Sequence, residues 1–163
     1  MKAKFIGIFG QKNVGKTTLA QMIYNELDKW FTKRPIFEWM NTPKGFAQPI
    51  KEILSQMTGL TIERINALKN IDEILPEWNC TVRQALQKIG QCGREIHPNM
   101  WIYQRMMNRR GVELIDDGRH LNEANAVYTA GGYLILMTRP GFENKDQHES
   151  EREFDSIKQK YLY

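Results

Sequence analysis

Phe5-Ile-Gly-Ile-Phe-Gly10-Gln-Lys-Asn-Val-Gly15-Lys16-Thr17-Thr18 is the stretch from which the rest of the chain can be read. It holds Gly10-x-x-x-x-Gly15-Lys16-Thr17, the spacing of a loop that cradles phosphates. Phe5 to Phe9 is an apolar run of strand length. Leu19, Ile23 and Leu27, with Ala20 alongside, recur as on one face of a helix over 16–31. A strand before the motif and a helix after it form the context this loop requires. Glycines at 10 and 15 let the backbone bend and approach an anion closely. Successive N–H groups from Lys12, Asn13 and Val14 through Gly15, Lys16, Thr17 and Thr18 then line one concavity, and the helix N-terminus adds partial positive charge. Lys16 is placed to reach β- and γ-phosphates, and the Thr17 hydroxyl to ligate Mg²⁺. The bland alternative is a glycine-rich turn, which the flanking strand and helix disfavour.

The chain has 163 residues, 41% of them hydrophobic, which suits one domain with a real core. No apolar run approaches the roughly 18 residues that span a membrane, and no signal peptide is expected at the start. A net charge of +4 fits anionic small molecules and is too weak to argue for nucleic acid. Cys80 and Cys92 have no metal-ligand spacing, so a reduced, cytoplasmic setting is expected.

Further strands are expected at Ile36–Met40, at Val112–Ile115 running into Asp116-Asp117, and at Tyr133–Thr138. Helices are expected from Pro49 to Gly59, in short pieces over 61–79, and from a Thr81-x-x-Gln84 capping box to Gly90 and Gly93. Others are expected from Pro98 to about Arg109 and from Asn122 to Ala130. Residues 142–153 read as a charged, mobile stretch, and Phe154–Tyr163 as a last strand or helix. Alternating strands and helices argue an α/β fold with a parallel sheet covered on both faces. The core is expected over 1–41 and 111–163. Residues 42–110, mostly helical and longer than a crossover needs, are expected to be an insertion that holds a second substrate. Residues 98–110, rich in Met and aromatics, offer a surface for a homodimer.

A carboxylate at the end of a strand beside the loop can hold Mg²⁺, and the residues leave Asp116 and Asp117 both open for that role. Phosphoryl transfer spreads charge over several oxygens, so arginines in one cleft make chemical sense. Arg94 after a Gly-x-x-Gly turn, Arg119 after the strand-end acid and Arg139 after the next strand stand out among Arg83, Arg94, Arg119, Arg139 and Arg152.

Arg83-x-x-x-Gln87-x-x-Gly90, Gly93-Arg94, Trp101 and Asp117-x-Arg119-x-x-Asn122-Glu123 together resemble the phage-type deoxynucleoside monophosphate kinases. Phe46-Ala47-x-x-Ile50-Lys51 and His148-x-Ser150-Glu151 are similar to that family as well. Gly118 departs from it, standing where a larger apolar residue is usual. The resemblance implies a three-layer P-loop NTPase fold with a helical acceptor-binding insertion. It implies ATP and Mg²⁺ on the loop and a deoxynucleoside monophosphate as acceptor; little chain follows the possible fifth strand, a second departure from the family, so the adenine-side loop and lid are expected to be minimal. Carried over by position, Lys16, Asp117, Arg94, Arg119 and Arg139 are the implied catalytic set, with Thr17 and Asp117 at the metal. Lys51, Arg83, Gln87, Arg94, Trp101 and Glu123 are the implied acceptor-side residues. Trp101 and His148 each also have an ordinary reading, as a core residue and a solvated one. Kinases of dephospho-coenzyme A or phosphomevalonate type are the nearest alternatives. A nucleotide-switch ATPase or GTPase is a more distant one, disfavoured because no Asn-Lys-x-Asp tetrapeptide occurs.

Overall fold

The computed structural model describes residues 3–31, 41–107, 109–141 and 149–162. The expected strand Ile36–Met40 and residue His148 lie outside these, as does the side chain of Arg152. The elements in order are β1 (Lys4–Gly10), α1 (Lys16–Phe31), α2 (Gln48–Thr58), α3 (Ile62–Leu68), β2 (Ile74–Leu75), β3 (Cys80–Thr81), α4 (Val82–Ile96), α5 (Met100–Met106), β4 (Val112–Gly118), α6 (Leu121–Thr129), β5 (Tyr133–Met137) and α7 (Glu149–Tyr161). The chain divides into two compact units, 1–46 with 107–163, and 47–106.

The first unit is built on a parallel sheet in the order β4-β1-β5. β1 is central and nearly continuously buried, as strands covered on both faces are. Phe5, Ile8, Phe9, Leu114 and Ile115 are buried in the sheet, as are Ala124 and Val127 of α6, which packs on β1, and Phe154 and Ile157 of α7, which packs on α6. α1 packs on β1 and β4, and α6 on β1 and β5. The β1-to-β4 and β4-to-β5 crossovers run in opposite directions across the sheet, so the right-handed rule puts α1 and α6 on opposite faces. The result is an α/β fold with a parallel sheet flanked by helices, as a phosphate-loop kinase requires.

Residues 41–46 belong with this unit rather than with the insertion. Asn41 N–H donates to Val112 O at 3.2 Å and Lys44 N–H to Leu114 O at 3.1 Å, along the edge of β4 away from β1. Asn41 Nδ2 adds a 2.6 Å bond to the buried Glu113 carboxylate. The first compact unit thus takes in residues 41–46.

The second unit is helical, with a small antiparallel β2–β3 ladder that pairs Ile74 with Thr81 and Leu75 with Cys80. Leu54, Ile65, Leu68 and Val82 form its core, with Leu60, Ile62, Leu75, Ala85, Leu86 and Ile89 around them. The expected capping box at α4 is present: Gln84 N–H meets Thr81 Oγ1 at 3.2 Å and Thr81 N–H meets Gln84 Oε1 at 2.9 Å. One expectation is overturned here. α4 does not end at Gly90 and Gly93 but runs through both to Ile96. A glycine inside a helix costs about 1 kcal/mol, and packing explains why these are kept. A Cβ on Gly93 would lie 2.2 Å from the Trp101 ring, and one on Gly90 would press Ile50 at 3.3 Å and the Arg94 guanidinium at 3.4 Å. Nor is the tail irregular throughout. Glu149–Glu153, read from sequence as mobile, form the first turns of α7.

Candidate phosphate-transfer site

Gly10 ends β1 opposite Met137 of β5, and Phe9 stands opposite Gly118 of β4. The C-terminal ends of three parallel strands thus come together at one end of the sheet, where ligands bind in open α/β sheets. Between Gly7 and Phe9, β4 holds one more residue than β1, since Gly7 pairs with Ile115 and Phe9 with Gly118. Asp116 and Asp117 both fall in this bulge, a device that re-aims side chains beside functional sites.

The loop after β1 has Asn13 at φ 63° and Gly15 at φ 109°. The second angle suits glycine alone. Gly10 is needed for a different reason: a Cβ there would sit 2.6 Å from Met137 O. Val14 is buried and pins the loop to the core, while Asn13, Thr17 and Thr18 are exposed and Lys12 is half-buried. Lys16 is only 6% exposed, and its ammonium donates to Gly10 O at 2.6 Å and Gln11 O at 2.7 Å. A buried ammonium held by loop carbonyls is a fixed positive centre. Beside it, the first amides of α1 have no intrahelical acceptors.

Asp117 Oδ1 accepts the Phe46 N–H at 2.6 Å. Gly45 lies against the same carboxylate, so closely that a Cβ at 45 would be 2.0 Å from Oδ2. The family departure at Gly118 has a packing reason, since a Cβ there would meet the Phe9 ring at 2.5 Å. Arg119 follows, half-buried, and Arg139 stands exposed two residues beyond β5.

Glu123, grouped by resemblance with the acceptor side, is engaged by its own helix start. Its Oε2 accepts the N–H groups of Arg119 at 2.9 Å and His120 at 3.0 Å. Burial pushes the Glu123 carboxyl up to about 7, with the Asp117 charge adding to the rise, while His120 and the two amide donors pull it down.

In the helical unit, Arg83, Gln87 and Arg94 are exposed and fall on one row of α4, within about 40° of each other at 100° per residue. Lys51 is half-buried on α2. Arg94 does not follow a turn, as its Gly-x-x-Gly spacing suggested, but projects from continuous helix. Trp101 takes the core reading. It is 9% exposed, and its Nε1 donates to Gly90 O at 2.8 Å. A ring so covered has little face to offer a base.

Gly45, His120 and Glu153 were not picked out from sequence. Glu153 Oε2 accepts the Leu121 N–H at 2.7 Å, and Oε1 lies 3.1 Å from His120 Nδ1. The pairing spans 32 residues, so no local spacing signals it. Among the described residues no helix is long and apolar enough to cross a membrane, and no group of three or more His, Cys, Asp or Glu could hold a metal.

No protein-family model matches the chain. It is similar to a protein of Acanthamoeba polyphaga mimivirus named "Putative deoxynucleotide monophosphate kinase", 31% identical over 172 aligned positions that cover 94% of this chain and 83% of that protein. This likeness over nearly the whole chain assigns it: the chain belongs to the deoxynucleotide monophosphate kinase family and is a phosphotransferase enzyme.

Proposed function

We propose that the protein transfers the γ-phosphoryl group of ATP to a deoxynucleoside 5′-monophosphate, giving the diphosphate. The observation that carries this reading is the buried Lys16 ammonium at the mouth of the strand–loop–helix turn. The loop amides and Lys16 would hold the donor's β- and γ-phosphates. Thr17 and Asp117 fit Mg²⁺, which favours a few hard oxygen ligands beside the phosphates and neutralises charge on them. Arg119 and Arg139, at the ends of β4 and β5, would clamp the transferring group. The 47–106 unit would take the acceptor, with Arg94 and Lys51 on its phosphate and the Arg83–Gln87 row on its base. No protein nucleophile is needed, because an acceptor phosphate oxygen attacks. The protein then works by positioning and by fixed charge.

The test is product analysis with ATP·Mg²⁺ and each common deoxynucleoside monophosphate in turn. Diphosphate should form with at least one, and Lys16→Ala should lose on the order of 10³-fold in kcat/KM while staying folded. ATP hydrolysis that ignores every nucleotide acceptor, or turnover confined to dephospho-coenzyme A or phosphomevalonate, would contradict the proposal.

A further inference from the structure

Three successive backbone N–H groups, those of Arg119, His120 and Leu121, end on two carboxylates from two helices. Glu123 of α6 accepts the first two, and Glu153 of α7 accepts the third while its other oxygen meets His120 Nδ1. Such a run of amides at a helix start ordinarily attracts an anion from outside. Here the chain's own carboxylates occupy it. These amides therefore do not meet a substrate phosphate, and the group on this segment that the proposed function assigns to that task is the Arg119 side chain.

The two carboxylates differ in reach. Glu123 is a local cap, which shapes the first turn of α6 and nothing beyond it. Glu153 comes from 32 residues away. Its helix is seated by the buried Phe154 and Ile157 directly after it. A tie of that length sets where the Arg119 segment sits, not only how it turns. We propose that Glu153 is a positioning residue for phosphoryl transfer, holding Arg119 in place through Leu121 and His120. The inference rests on the reading of Arg119 as a phosphate clamp. A displacement of about 1 Å in such a group can lower a rate by up to about 100-fold.

The experiment compares wild type, Glu153→Ala, Glu153→Gln, Ile157→Ala, Arg119→Ala and the Arg119→Ala/Glu153→Ala double variant in steady-state kinetics. Glu153→Ala should lower kcat about tenfold with both KM values changed less than about threefold. Glu153→Gln keeps an oxygen for the Leu121 N–H and should recover most of the rate. Ile157→Ala should lower Tm at least as much as Glu153→Ala does, yet keep its kcat below that Tm. On the Arg119→Ala background, removing Glu153 should change kcat by less than about twofold, because a group that acts through another adds nothing once the other is gone. A full-sized Glu153 effect on that background, an equal kcat loss in Ile157→Ala, or a wild-type rate for Arg119→Ala would overturn the inference. A wild type with no kinase activity would sink the proposed function instead. Amide exchange at residues 119–121 then still decides the tie: faster exchange in Glu153→Ala but not in Glu153→Gln upholds it, and unchanged exchange refutes it.

Discussion

In the sheet-based unit three of the candidate groups are tied down through hydrogen bonds that involve the main chain. Lys16 donates to Gly10 O and Gln11 O, Asp117 accepts from Phe46 N–H, and the Arg119 segment hangs on Glu123 and Glu153. In the helical unit the reverse holds. Arg83, Gln87 and Arg94 stand exposed on one row of α4, and the order lies behind them, in Trp101, Leu54, Ile65 and Val82. The first arrangement is rigid and suits groups that must meet charge developing in a transition state. The second leaves long side chains to settle on a ligand and suits recognition. Substitutions in the first unit should therefore strike kcat and metal use, and those in the second KM and stability.

After the roughly 10³-fold loss expected for Lys16→Ala, the largest effect is expected at Gly45. An alanine there must displace the Asp117 carboxylate and break its bond to Phe46 N–H. Gly45→Ala should cost on the order of 100-fold in kcat and raise the Mg²⁺ concentration for half-maximal rate. Lost rate with unchanged Mg²⁺ dependence would take Asp117 off the metal.

Next is the pH dependence set by Glu123. Its folded pKa of about 7 lies above the ordinary 4.5. The native state thus binds the extra proton between those values, and the stabilisation is full below pH 4.5 and lost as pH rises through 7. Glu123→Gln keeps an acceptor for the two N–H groups without the charge. Its Tm should gain on wild type between pH 5 and pH 8, by the equivalent of about 2–3 kcal/mol. Parallel Tm profiles would mean that burial does not perturb this carboxyl.

In the helical unit, Arg94→Ala should raise the acceptor KM about tenfold and leave the ATP KM within about twofold. A matching rise in both would place Arg94 on the donor. Smallest is Trp101→Phe, which keeps an aromatic ring but loses part of the indole's packing and the bond to Gly90 O. It should cost about 1 kcal/mol of stability, read from urea unfolding, with acceptor KM nearly unchanged. A large KM rise in a stable variant would restore Trp101 as a base platform.

What could be read in advance follows the range of the interactions. The phosphate loop, the capping box at Thr81 and the acid-ended strand β4 depend on neighbours a few residues apart, and their spacing shows in sequence. Gly90 and Gly93 misled because a glycine that stops a helix and one that admits an indole look alike until Trp101 is placed. Gly45 against Asp117 and Glu153 beneath Leu121 join residues 72 and 32 positions apart. Only the fold brings such pairs together, so no local pattern exposes them.

The central claim is that residues 10–17 grip the donor's polyphosphate. A crystal structure with a non-hydrolysable ATP analogue and Mg²⁺ tests it most directly. The triphosphate is expected within hydrogen-bonding distance of the loop amides and Lys16 Nζ, with Thr17 at the metal. A triphosphate bound elsewhere, with Lys16 still on Gly10 O and Gln11 O, would contradict it.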